Sequence, residues 1–220
     1  MVRLLLDYDG TLHDGRFLYT PAFQTAYQVL VDRGYRPPRT WRPEETAVWL
    51  GITPQAMWEA FAPDVPEPLR RTCSQIILEE MLRRTAAGEA RLYPGVPTVL
   101  EALREAGYSL ILLSSCQRSY LEVHRRQFGL DRYLDGSFCT QAWGWAPKWA
   151  VFPAIRRAFP GEYAVVGDRA PDGEVARRHG LPFVGCAYGY GTPEELAGAA
   201  ARISAPEELP RALTRLGLTP

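Results

Sequence analysis

The apolar positions of this chain follow two periods. The run Leu4-Leu5-Leu6 lies in a stretch, residues 2–9, that reads as a buried strand ending in a turn at Gly10. From about residue 20 to 90 the period is helical, with no strand pattern. Phe23, Tyr27, Leu30 and Val31 recur at i, i+4, i+7 and i+8, and Gly34 ends that helix. Thr53-Pro54 offers an N-cap with proline at the first helical position, followed by Met57, Trp58 and Phe61 on one face. Leu69, Cys73, Ile76 and Ile77 stripe a longer helix that runs to about Gly88.

After Tyr93-Pro94-Gly95 strands and helices alternate. Val96, Val99, Leu100 and Leu103 form a helix face closed by Gly107, and Leu110–Leu113 is a buried strand ending at Ser114-Ser115. A helix then reaches about Phe128, a weaker strand covers 134–139, and a helix over 148–159 precedes the strand Tyr163–Gly167. Helix 172–179 leads to Pro182–Gly185, the last clear strand, and a helix over about 206–216 closes the chain. Thr192-Pro193-Glu194-Glu195 carries the capping-box signature of one more helix start.

Continuous apolar strands alternating with helices predict an α/β fold: a three-layer, doubly wound, mostly parallel sheet. The all-helical stretch predicts a domain inserted after the first strand. The expected division is a core of residues 1–14 and 92–220 and a helical domain of residues 15–91, with hinges near 14–19 and 89–95.

Composition narrows the function. Twenty-five basic side chains balance 25 acidic ones, so nothing favours a nucleic-acid partner. No apolar run approaches the roughly 18 residues of a membrane span. The four cysteines lack CxxC spacing, so the expected setting is a reduced cytoplasm, without a zinc site or a disulfide framework.

Candidate chemistry sits where strands end. Asp7 and Asp9 stand at the carboxyl end of the first strand; residues i and i+2 of an extended strand point to the same side, so both are expected at one site. Ser114 ends a second strand, Lys148 opens a helix, and Gly167-Asp168 with Asp172 follows the 163–166 strand. In a parallel sheet these ends share one edge, where ligands bind.

Asp7-Tyr8-Asp9-Gly10-Thr11-Leu12, then Ser114, Lys148 and Gly167-Asp168…Asp172, resemble in order and spacing the four motifs of the haloacid dehalogenase superfamily, in its phosphoglycolate-phosphatase-like branch with a helical cap. The resemblance implies a Mg²⁺-dependent phosphatase acting on a small phosphorylated metabolite. Asp7 is the implied nucleophile, forming an aspartyl-phosphate. Asp9 is the implied acid and base. Implied ligands of Mg²⁺ are Asp7, Asp9 through its main-chain carbonyl, Asp168 and Asp172. Ser114, Ser115 and the backbone at Gly10 and Thr11 are implied to hold the phosphoryl group, with Lys148 balancing charge. Asp9 argues for phosphate chemistry over dehalogenation, and Gly167 before Asp168 for hydrolysis over a mutase reaction. A phosphomutase of the same superfamily, or a silent binding module, are the alternatives. No membrane partner is expected, and the chain is expected to be a monomer or homodimer.

Ser115-Cys116, Arg169, and Pro147 with Trp149 around Lys148 depart from the usual pattern of that branch and bear on the substrate. Arg16, near the hinge, is the candidate for an anionic substrate tail. Among Trp143, Trp145 and Trp149, packing is the first expectation and a pocket wall the sharper one. His13, His124 and His179 are expected to be structural or exposed, and Cys116 a small packed residue.

Overall fold

A computed structural model describes residues 1–220. In chain order the elements are β1 (Val2–Leu6), α1 (Arg16–Asp32), α2 (Pro43–Thr46), α3 (Pro54–Phe61), α4 (Glu67–Ala86), α5 (Val96–Glu105), β2 (Ser109–Ser114), α6 (Arg118–Phe128), β3 (Gly136–Cys139), α7 (Lys148–Ala158), β4 (Glu162–Gly167), α8 (Ala170–His179), β5 (Phe183–Cys186), β6 (Ala201–Ile203) and α9 (Leu209–Arg215). The six strands form one sheet in the order β3-β2-β1-β4-β5-β6, with every neighbouring pair parallel. This is the doubly wound order whose switch point lies beside the first strand.

Strand alternation builds the layers. Leu4, Leu6, Leu110, Leu112, Ala164 and Val166 bury on one face, in a core shared with α5, α6, α9 and the helices α1, α3 and α4. Leu5, Ile111, Leu113 and Val165 bury on the other, against Val151, Phe152 and Ile155 of α7 and Val175 of α8. A one-residue slip of any central strand would exchange these sets. Helices α1–α4 all fall between β1 and β2 in the chain. They pack through Phe23, Trp58 and Cys73, and their buried apolar side chains join those of the sheet in a single cluster. Thr53 caps α3 as its sequence predicts, accepting from the Ala56 N–H at 3.2 Å.

Four expectations need correction. The first strand stops at Leu6, not residue 9, because three N–H groups (Thr11, Leu12, His13) fold back onto the Tyr8 carbonyl. Helix α1 begins at Arg16, inside the stretch expected to be a hinge. A sixth strand, the three-residue β6, pairs with β5. Thr192 and Glu195 do exchange the two capping-box hydrogen bonds, at 2.9 and 3.3 Å, but only a turn follows them. No helix is long and apolar enough to cross a membrane.

Candidate active site

Three separate segments meet at the carboxyl edge of the central strands. Asp7 directly follows β1, and its N–H donates to the Val166 carbonyl of β4 at 2.9 Å. Asp168 directly follows β4, Asp172 stands in the first turn of α8, and Lys148 is the first residue of α7. The Lys148 Nζ donates to Asp7 Oδ1 at 2.5 Å and to Asp172 Oδ1 at 2.7 Å. All four side chains are buried, none of the residues more than 3% exposed, so water screens their charges little. Asp172 Oδ2 accepts from the Arg169 N–H at 3.1 Å. Asp168 accepts from the Tyr190 N–H at 2.7 Å and the Thr11 hydroxyl at 3.3 Å.

One carboxylate oxygen is left over. Asp7 Oδ2 is buried and has no hydrogen-bond partner. Asp7, Asp168 and Asp172 each offer an oxygen within 4.8 Å of the others. Three carboxylates around one ammonium leave two negative charges uncompensated in a dry site, a costly arrangement without a further cation. An all-oxygen donor set suits a hard divalent ion such as Mg²⁺. The residues therefore fit the metal implied by the sequence.

The electrostatics state the same need. Burial, then the Asp172 charge, pushes the Asp7 carboxyl up to about 7, although Lys148 works against this. Burial, then Asp7 and Asp172, holds Asp168 well above the usual carboxylate range. Burial alone would lower Lys148, but Asp172 and Asp7 outweigh it and raise the ammonium. For Asp7 the folded-state value lies above the unfolded one, so its favourable contribution is present at low pH and lost as pH rises through 7. In EDTA, thermal unfolding should therefore show stability falling between about pH 4 and pH 7, on the order of 4 kcal/mol, with Mg²⁺ removing the fall. A flat profile in EDTA would contradict this balance.

Asp9 does not join that cluster. Because β1 ends at Leu6, the i, i+2 geometry of an extended strand does not apply, and Asp9 lies in the turn that follows. Its Oδ1 accepts from His13 Nδ1 at 2.8 Å and from the Tyr120 hydroxyl at 2.9 Å. The carboxylate lines a cavity together with Ser114, Ser115 and Cys116. Tyr8, between the two acids, donates from its hydroxyl to His124 Nδ1 at 2.8 Å. The Thr85 hydroxyl of α4 donates to the Met81 carbonyl, so His124 Nε2–H donates to Thr85 at 3.0 Å. Burial, then His13, pushes His124 down to about 3, so the ring is neutral. His13 and His124 are buried, as expected of structural residues, yet both touch the acidic turn through hydrogen bonds that sequence spacing does not reveal.

Gly10 adopts φ +87°, and a Cβ there would meet the Asp168 carboxylate at 2.1 Å, so the turn requires glycine. Arg16 is not brought into the cavity; its guanidinium forks onto Asp14 at 2.6 and 2.8 Å. Of the three tryptophans, Trp145 lines the cavity, Trp143 is 44% exposed, and Trp149 lies under Arg178.

Sequence reasoning missed one contributor and the contacts of a second, which it marked only as a departure from the family pattern. The first is the loop Tyr188–Gly191 after β5. Its Tyr190 N–H holds Asp168, the Tyr190 hydroxyl accepts from the Gly15 N–H at 2.6 Å, and the Tyr188 hydroxyl donates to the Thr11 carbonyl at 2.8 Å. The Gly-Tyr-Gly sequence at the carboxyl edge of a sheet was its signal, since a Cβ at Gly191 would lie 1.7 Å from the Asp168 carbonyl oxygen. The second is Arg169. It donates to the Leu50 carbonyl at 2.6 Å and the Val48 carbonyl at 3.3 Å, and pairs with Glu195 at 3.0 Å.

The sequence model of the haloacid dehalogenase-like hydrolases matches residues 3–180. A 5'-nucleotidase of Pseudomonas aeruginosa is 28% identical over 123 residues, covering 53% of this chain and about half (55%) of the relative's own length. A phosphoglycolate phosphatase of Synechococcus elongatus is 26% identical over 229 residues, covering 98% of this chain and 99% of the relative. A crystal structure described as a "predicted phosphatase from Clostridium acetobutylicum" superposes with a TM-score of 0.82 at 20% identity, covering 97% of this chain and 98% of the other. At that identity the superposition speaks for the fold.

Proposed function

The chain belongs to the haloacid dehalogenase-like hydrolase family, and from that premise we propose that it is a Mg²⁺-dependent phosphatase that hydrolyses a small phosphomonoester through an aspartyl-phosphate on Asp7. The observation that carries this reading is the buried, unpartnered Asp7 Oδ2, beside Asp168 and Asp172 and short of positive charge. Asp7, Asp168 and Asp172 would hold the ion, with the Asp9 main-chain carbonyl as the family resemblance implies. Bound there, the cation offsets the negative charge of carboxylates and phosphate together.

The remaining work falls to side chains. Lys148 grips one oxygen of Asp7 and fixes the carboxylate for attack on phosphorus. Ser114, at the end of β2, and the backbone of Gly10 and Thr11 receive the phosphoryl oxygens. Asp9 gives its proton to the departing alkoxide and later takes one from the water that cleaves the acyl phosphate. His13 and Tyr120 hold its Oδ1 and so orient the carboxyl. Residues 15–91 serve as the cap: the cavity beside Asp9 is lined both by this segment and by residues 114–117, 120 and 145, which is how a substrate is closed off from water. The closeness to a phosphoglycolate phosphatase and a 5'-nucleotidase supports phosphate-ester hydrolysis.

The test is release of inorganic phosphate from p-nitrophenyl phosphate. Activity should require Mg²⁺, vanish in EDTA and return when Mg²⁺ is added in excess. Turnover that persists in EDTA would reject the metal-dependent mechanism.

A further inference from the structure

The cavity next to Asp9 is the place where the alcohol half of the ester must lie, since Asp9 and Ser114 both open onto it. Its chemistry is one-sided. Eleven of its 18 lining residues are hydrophobic, among them Trp49, Ile52, Met57, Leu78 and Trp145, and none is a lysine or arginine. Asp9 is its sole carboxylate. Arg70 and Arg71 line a wider adjoining space and not this slot; Arg71 is already paired with Glu67. Arg16, the other cation considered, is taken by Asp14.

We propose that the leaving group is an uncharged, apolar alcohol, aromatic or short-chain alkyl, and not a carboxylate- or phosphate-bearing one. This rests on the phosphatase reading and gives it a substrate class. A carboxylate on the carbon next to the ester oxygen would lie beside Asp9 with no cation on the slot's own wall, so its desolvation there goes uncompensated. An apolar ring would instead lie against Trp49, Met57 and Trp145. The free volume, about 100 Å³, suits one ring or a short chain. Burying a charge without a partner discriminates far more than a missing methylene does, so the choice should show clearly in kcat/KM.

The experiment compares benzyl phosphate and butyl phosphate with 2-phosphoglycolate at saturating Mg²⁺; all leave as alkoxides, so the comparison is weighted toward binding. Benzyl phosphate should exceed phosphoglycolate at least about 30-fold in kcat/KM, mainly through KM. Gln117→Arg, which adds a cation at the cavity wall, should shrink that ratio at least about tenfold. In parallel, benzyl alcohol should quench the fluorescence of Trp49 and Trp145 saturably, and glycolate should not. Preference for phosphoglycolate with robust phosphate release would overturn the substrate class and leave the phosphatase reading standing. No phosphate release from any ester, p-nitrophenyl phosphate included, with saturable benzyl alcohol quenching, would overturn the phosphatase reading while supporting an apolar ligand. Absence of quenching by benzyl alcohol would overturn the assignment of the slot.

Discussion

Asp7→Asn should lower turnover of p-nitrophenyl phosphate on the order of 10³-fold or more, with the protein still folded. The amide is a poor nucleophile and cannot form the acyl phosphate, and removing a nucleophile outright commonly costs this much or more. The fold should survive because the substitution conserves shape, and Lys148 keeps its 2.7 Å contact with Asp172. Removing one of three crowded carboxylates also relieves repulsion: Asp172 and burial push Asp7 up in the metal-free protein. The variant's melting temperature in EDTA should therefore match or exceed that of the unmodified chain, while the stabilisation by Mg²⁺ shrinks. Phosphate release above about 1% of the original rate would remove Asp7 from the nucleophile's role.

Lys148→Met should be the opposite case, a variant that fails through the fold as well as through chemistry. Methionine matches the length of the stem but leaves Asp7 Oδ1 and Asp172 Oδ1 buried without their shared donor. Breaking a buried pair by removing one partner typically costs about 3–5 kcal/mol. For a domain of this size that is a fall in melting temperature on the order of 10 °C. Mg²⁺ should restore stability more in this variant than in the unmodified chain, since the ion supplies charge the lysine no longer does. Lowering the pH should help too, because protonated carboxyls need no cation. Activity should drop together with stability and stay low after Mg²⁺ restores the fold. A melting temperature within about 2 °C of the original in EDTA would mean that the lysine is not holding the acids together.

The parts of the molecule that were legible share a cause. Buried central strands show as apolar runs, and the helices end at glycines such as Gly107, Gly129 and Gly180, so β1, β2, β4 and β5 and most helix ends were within reach of pattern alone. The edge strand β6 was not, because Ala201-Arg202-Ile203 is too short to show a period. The capping box at Thr192 misled because it reports two local hydrogen bonds, which a single turn satisfies as well as a helix. In the site, Asp7, Lys148, Asp168 and Asp172 converge as strand-end geometry requires. The surroundings of Asp9 were hidden for a different reason. Tyr120 stands 111 positions from it along the chain, and no local rule relates them.

Arg169 adds a mechanical consequence. It directly follows Asp168 in the chain, and its guanidinium clasps the carbonyls of Val48 and Leu50, on the helical segment that walls the slot. Carrying residues 48–50 away from Arg169 would break those two bonds. The wall of the slot and the acidic nest are thus tethered to each other through a single side chain.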